Sequence, residues 1–222
     1  MTIKNADAYL AFTVVLILVA AGSFFMLLGL FIRIYSEKKW LNSLKKEELL
    51  GYEEILSDCL AKYQIRREDY KLVEEIIKKS GYAIKETTFM PLNEGYTTGK
   101  PERGVYVRKF LPSGRKHFTL AHELMHIIYK PEELDAHQQY RQFHSLFRMR
   151  NKDEQLRDYM AASFILPRDV FWKEIVDVDY FNTSLDKRKA FALRMAEKYN
   201  VETSTVYRRI DELRVLNGVD VF

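Results

Sequence analysis

The order of apolar and polar positions sets one segment apart near the amino terminus. Residues 8–32 contain no charged residue and are rich in Leu, Val, Ile and Phe. As a helix that rises about 1.5 Å per residue, this segment would be roughly 35 Å long, enough to cross the core of a bilayer with some tilt. A buried helix of a globular domain would show a polar face, and this segment has none. The pattern predicts a transmembrane helix.

A cleaved signal peptide is the alternative interpretation of this segment, because Ala20, Ala21 and Gly22 could imitate a small-residue cleavage site. Against this interpretation, the apolar run continues as far as Ile32. Basic residues follow the run, at Arg33, Lys38, Lys39, Lys45 and Lys46. By the positive-inside rule, we expect a short amino terminus outside the membrane and the bulk of the chain in the cytoplasm.

The rest of the chain alternates between helical and strand-like patterns. Residues 36–80 place Leu, Ile and Tyr at helical spacing among charged residues, which predicts two amphipathic helices that end at Gly81. Apolar residues then alternate with other residues over 82–88 and over 105–111, so we expect two strands separated by a loop. Residues 112–114 should turn the chain into a further helix. The predicted fold class is α+β, mostly helical with a small β-sheet.

An HExxH motif lies in that further helix, where residues 118–129 read FTLAHELMHIIY. Four residues advance a helix by slightly more than one turn, so His122 and His126 project from the same face and can bind one metal ion. Glu123 lies beside them and could take a proton from the attacking water, as in zinc hydrolases. We expect Pro131 to end the helix.

The alternative is an amphipathic core helix whose two histidines hydrogen-bond to the backbone. That interpretation leaves the charge of Glu123 among Leu, Met and Ile residues, and an unpaired charge in such surroundings is costly. The metal site is therefore favoured.

The next helical segment, residues 152–167, can supply a third ligand, which a catalytic zinc site requires. Glu154 and Asp158 are four residues apart and share one helical face, which we interpret as the polar side of the segment. We assign Glu154 as the third ligand. Asp158, one turn later, could accept a hydrogen bond from the outer nitrogen of a ligating histidine and fix its tautomer.

These two motifs resemble the ImmA/IrrE family of zinc metallopeptidases. The resemblance rests on residues 118–129 and on the downstream E-x-x-x-D helix that ends AASFILP at residues 161–167, and it extends less specifically over about 49–216. The chain departs from the family pattern at Arg157, where alanine is usual, and at Met160, where phenylalanine is usual. Arg157 would either change substrate preference or point outwards. A membrane helix is not a general feature of the family.

The resemblance implies a compact, gluzincin-like domain that binds zinc through His122, His126 and Glu154, with Glu123 as the general base. It also implies a protein substrate, such as a helix-turn-helix repressor of a prophage or integrative element in the cytoplasm. An extended substrate could pair with the strand near residues 105–110.

The tail offers an alternative function. Residues 190–199 and 203–213 are spaced like the two helices of a helix-turn-helix, with Arg208 and Arg209 on the second. In this interpretation the chain is a membrane-tethered regulator that binds DNA or a partner and has a non-catalytic metal site. Acidic neighbours dilute the basic surface, so nucleic acid is not the expected partner.

Other polar residues have no assigned role. We interpret His137 and His144 first as surface or packing residues. The side chains considered for stabilising the oxyanion are Tyr180, Tyr207, His144 and Arg209.

Composition adds two constraints. The net charge of +4 over 222 residues implies no polyanionic partner by itself, and the lone Cys59 excludes an intrachain disulfide. We divide the chain into four parts, in order a membrane anchor, a helical linker, a zinc metallopeptidase core and a C-terminal helical segment, at 1–34, 35–80, 81–168 and 169–222. The expected function is a membrane-anchored zinc endopeptidase that a second membrane protein could control.

Overall fold

The computed structural model describes residues 45–88, 94–136 and 152–219, with isolated positions between 22 and 43. Within this part of the chain, none of the helices has the length and apolar composition that a membrane crossing requires. The segment predicted to be transmembrane, residues 8–32, lies largely outside the described residues, so that assignment stays a prediction. The same holds for His137 and His144.

Helices dominate the described residues, together with three short strands. The α-helices are α1 (Lys46–Lys62), α2 (Val73–Lys79), α3 (Ser113–Ile128), α4 (Pro131–Ala136), α5 (Lys152–Ile165), α6 (Arg168–Asp177), α7 (Leu185–Tyr199) and α8 (Thr203–Leu216). Two 3₁₀ helices span Arg67–Leu72 and Tyr180–Asn182. The strands are β1 (Ala83–Thr87), β2 (Gly95–Thr98) and β3 (Gly104–Arg108). The mostly helical α+β class is confirmed.

The three strands form one sheet in the order β1-β3-β2. β3 pairs in parallel with β1 and antiparallel with β2, and its Val105 and Val107 are fully buried. Because β3 has a neighbour on each side, the prediction that a substrate pairs with it is wrong. β2, which lies in the predicted loop, is one of the two edge strands.

Helix α3, which carries the HExxH motif, packs against both β2 and β3 and lies at the centre of the domain. It begins at Ser113, so residues 112–114 do not form a separate turn before it. A Cβ atom at Gly114 would lie only 2.7 Å from the carbonyl carbon of Val201. The first turn of α3 therefore packs directly on the connection between α7 and α8. At its other end α3 stops at Ile128, and Pro131 begins α4.

Helix α5 lies against α3 and is buried on all sides. The sequence interpretation placed Glu154 and Asp158 on a polar face of this helix. Both are instead about 2% exposed, and nearly every residue from Glu154 to Ile165 is buried. The polar face is absent because α1, α3 and α8 all contact α5.

The two predicted tail helices are present, joined by Asn200 in a left-handed conformation with φ of 50°. Arg209 of α8 is completely buried, and it donates hydrogen bonds to Glu53 of α1 at 2.8 Å and to Glu212 at 3.2 Å. A buried side chain with these partners cannot reach a phosphate group. The DNA-binding role considered for Arg209 is therefore wrong, and the residue instead joins the tail to the core.

Glu53 lies at the centre of this buried polar cluster. Its Oε1 accepts hydrogen bonds from Tyr159, Ser163 and Arg209 at 2.9, 2.6 and 2.8 Å, and its Oε2 faces Arg67 at 3.1 Å. Burial acts to raise the pKa of Glu53, but the charge of Arg209 and the hydrogen bond from Ser163 outweigh it and lower the pKa to about 2. Glu53 therefore stabilises the folded state as a carboxylate.

This lowered pKa predicts acid sensitivity. Glu53 contributes stability above the carboxyl pKa of the unfolded chain and loses it as the pH falls towards 2. In urea unfolding, the free-energy advantage of the wild type over Glu53→Gln should stay constant from pH 7 to 5. It should then shrink by about 2 kcal/mol between pH 5 and pH 3. A pH-independent advantage would contradict this account.

Candidate metal centre

Helices α3 and α5 bring together His122, His126 and Glu154. One ligand atom from each of these residues lies within 4.8 Å of the other two. The two histidines meet because they are one turn apart on α3, and Glu154 reaches them because it begins the buried length of α5. The sequence predicted all three residues as ligands, and the packing of α3 against α5 brings Glu154 to the histidine pair.

The separations between these side chains are close to those between the ligands of a zinc ion. The Nε2 atoms of His122 and His126 are 3.2 Å apart, and Glu154 Oε2 is 3.3 Å from Nε2 of His122. Glu154 Oε1 is 3.6 Å from Nε2 of His126. Zinc ligands at bond lengths of about 2.0–2.1 Å and tetrahedral angles lie about 3.3 Å from one another. Two imidazoles and one carboxylate also match a catalytic site that keeps its fourth position open.

Asp158 fixes the tautomer of His122. Its Oδ1 lies 2.7 Å from Nδ1 of the imidazole, and a carboxylate can only accept, so Nδ1 carries the proton. In the neutral imidazole the lone pair is then on Nε2, the atom that faces His126 and Glu154. The contact is the one that the sequence suggested for Asp158, and its role beside a bound metal stays a prediction.

Glu123 lies beneath strand β2. The residue is 4% exposed, and its Oε2 accepts a hydrogen bond of 2.7 Å from the hydroxyl of Thr97. A Cβ atom at Gly95 would come within 3.0 Å of Glu123 Oε1 and 2.6 Å of the Thr119 methyl group. The close approach of β2 to Glu123 therefore requires glycine at position 95. The sequence interpretation missed Gly95 and Thr97 because the segment Gly-Tyr-Thr-Thr at residues 95–98 shows no apolar alternation.

Arg157 does not point outwards. It is 3% exposed, its Nη1 donates to Glu154 Oε1 at 3.1 Å, and its Nη2 donates to Glu133 Oε2 at 2.8 Å. The guanidinium thus holds one oxygen of the candidate ligand while Oε2 faces His122. It also joins α5 to α4.

The side chains considered for the oxyanion differ in their exposure. Arg209 is fully buried among its own partners, and Tyr180 is 7% exposed with its ring against Phe181 and Phe191. Burial raises the pKa of Tyr180, which keeps it a neutral phenol. Of the candidates within the described residues, only Tyr207 is open to solvent, at 38% exposure.

Asp158→Asn should weaken zinc binding by about 10- to 100-fold, because an amide no longer enforces the Nδ1–H tautomer of His122. The dissociation constant can be measured by competition with a chromophoric chelator. Asp153→Asn is the matched control, since Asp153 lies on the same helix, is 46% exposed at its side chain and contacts Lys130. Equal affinities for both variants would contradict the proposed role of Asp158.

Arg157→Met should destabilise the metal-free protein by about 3 kcal/mol, because the mutation removes the buried cation that neutralises Glu154. A bound divalent ion would replace part of that positive charge, so the loss should be smaller in the presence of zinc. Urea unfolding with and without zinc measures both values. An equal loss in the two conditions would show that Arg157 does not act on Glu154.

One protein-family model and one solved structure are similar to this chain. The model of a peptidase family, described as IrrE N-terminal-like domain, matches residues 83–211, more than half of the chain. No curated protein sequence matches the chain. A solved structure of a Mycobacterium tuberculosis transcriptional regulator is similar at 14% identity and a TM-score of 0.47, over 75% of this chain and 52% of that one. The present chain thus spans about half the length of that regulator. By the family match, the chain belongs to the IrrE N-terminal-like peptidase family, which confirms the resemblance to the ImmA/IrrE family for this domain.

Proposed function

We propose that the chain is a zinc-dependent endopeptidase. The observation that supports this proposal is the convergence of His122, His126 and Glu154 at distances that suit zinc, with Glu123 next to them on α3. Membership of a peptidase family supports the same reaction class. Zinc, when bound, would lower the pKa of a coordinated water and polarise the scissile carbonyl.

Glu123 would then act as the general base. Its buried carboxylate takes a proton from the attacking water and later delivers that proton to the leaving amine. Thr97 donates its hydroxyl to Oε2 and so orients this carboxylate. An extended substrate would pair with the edge strand β2, which contacts Glu123, rather than with the central strand β3.

The proposal extends to the substrate and to the location of the protein in the cell. The apolar run at residues 8–32 supports a membrane anchor, and the basic residues after it support a cytoplasmic catalytic domain. The substrate would be a cytoplasmic regulatory protein, such as a repressor of a mobile element. Anchoring would let a second membrane protein control cleavage. DNA binding by the tail is not part of the proposed function, because Arg209 is buried.

Metal analysis and cleavage test the proposal together. Wild type should contain about one zinc per chain, and His122→Ala and Glu154→Ala should lose most of it, because each variant removes a ligand. Glu123→Gln should retain zinc and reduce cleavage by at least about 100-fold, because it cannot accept the proton. New protein amino termini in cells that express wild type, compared with cells that express Glu123→Gln, report cleavage.

Two results would contradict the proposal. A wild-type chain without zinc, purified under conditions that do not strip metals, would exclude the metal centre. Identical amino termini in the two cell populations would exclude endopeptidase activity under those conditions of expression.

A further inference from the structure

The second oxygen of Asp158 also has a charged partner, on the tail helix α8. Asp158 Oδ1 accepts from His122, while Oδ2 lies 3.4 Å from Nη1 of Arg208. The side chain of Asp158 is 3% exposed and that of Arg208 is 17% exposed, so solvent screens this ion pair little. Both oxygens of the carboxylate are therefore held by groups with different positions in the fold.

Arg208 is itself fixed at a second point. Its Nε donates to Glu212 Oε1 at 3.0 Å, and Glu212 is completely buried. The other oxygen of Glu212 faces Arg209, which in turn contacts Glu53 on α1. Alternating charges thus connect α1 to the candidate metal ligand His122, and each acidic side chain in the series lies between positive or proton-donating groups.

A planar guanidinium is suited to this position because its N–H groups point in fixed directions. Nε and Nη1 of Arg208 donate to two different carboxylates. The guanidinium is therefore held at two points and cannot turn without losing one of these hydrogen bonds. Lysine has one compact ammonium group and lacks this fork. The contact at Oδ2 restrains the carboxylate of Asp158 in the orientation in which Oδ1 meets the imidazole.

We propose that Arg208 is a positioning residue of the metal centre: it holds the carboxylate of Asp158, which fixes the tautomer and orientation of His122, and thereby raises the affinity for zinc. The proposal rests on the zinc centre of the proposed function. It assigns to α8, which the sequence analysis considered for DNA binding only as an alternative, a role in positioning His122 of α3.

A double-mutant cycle on the full chain tests this role. Arg208→Met should weaken zinc binding about tenfold in competition titrations, since it releases one end of the hydrogen-bonded pair that orients the ligand. In the Asp158→Asn background the same mutation should have no further effect, because Arg208 acts through Asp158. Arg194→Met, at an exposed arginine of α7, is the control for loss of one positive charge and should bind zinc like wild type.

Nitrogen NMR of the imidazoles in the metal-free protein provides a second measurement. Wild type should show His122 as the single Nδ1–H tautomer, and Arg208→Met should show a mixture of tautomers. Arg208→Lys keeps the charge and guards against a Met variant that fails to fold. It should give partial loss of both affinity and tautomer purity, because one ammonium cannot hold both carboxylates in the same geometry.

Three outcomes would overturn the inference. The first is a loss of affinity of the same size in the wild-type and Asp158→Asn backgrounds, since that would show a general structural effect. The second is a folded Arg208→Met variant with wild-type affinity and tautomer. The third, for the case in which only the lysine variant folds, is wild-type behaviour of Arg208→Lys in both measurements. A wild-type chain that binds no zinc would refute the proposed function and with it the effect of Arg208 on zinc affinity. The metal-free tautomer would still decide whether Arg208 orients His122 through Asp158.

Discussion

The direct packing of α3 against α5 is the constraint on which the candidate site depends. It brings a carboxylate from one helix to the two imidazoles of the other, at separations of 3.3 and 3.6 Å. Such an approach places acidic groups in surroundings from which water is largely removed, and each of them must be compensated. Much of the polar architecture of the domain follows from that requirement.

The compensation comes from arginines on several elements. Arg157 stands beside Glu154, Arg208 beside Asp158, and Arg209 beside Glu53. Arginine suits these positions because it stays charged when buried and can hold two acceptors at once. Its burial also explains why the tail helix α8, despite two adjacent arginines, presents neither as a freely exposed basic group. Both arginines instead pair with acidic side chains inside the domain.

The local part of this structure could be predicted from the sequence, and the long-range part could not. Helical periodicity places His122 and His126 on one face with Glu123 beside them, and the same rule relates Glu154 to Asp158. No local pattern connects Glu53 with Arg209, which are 156 positions apart, or Thr97 with Glu123. Strand β2 was missed since its four residues carry no apolar alternation and are held by pairing with β3. The surroundings of Arg157 likewise depend on Glu133, in another helix.

The close contact between Gly114 and Val201 limits how short a fragment of this protein can be and still keep the fold of the domain. The amino-terminal turn of α3 has no room for a side chain because the backbone between α7 and α8 occupies that space. A fragment ending before this connection would leave the start of α3 uncovered and would also remove the cation opposite Glu53. The candidate catalytic residues would all be present in such a fragment, but part of the structure that holds α3 in place would be missing. The last two helices, α7 and α8, therefore complete the peptidase domain, and an expressed domain should retain them.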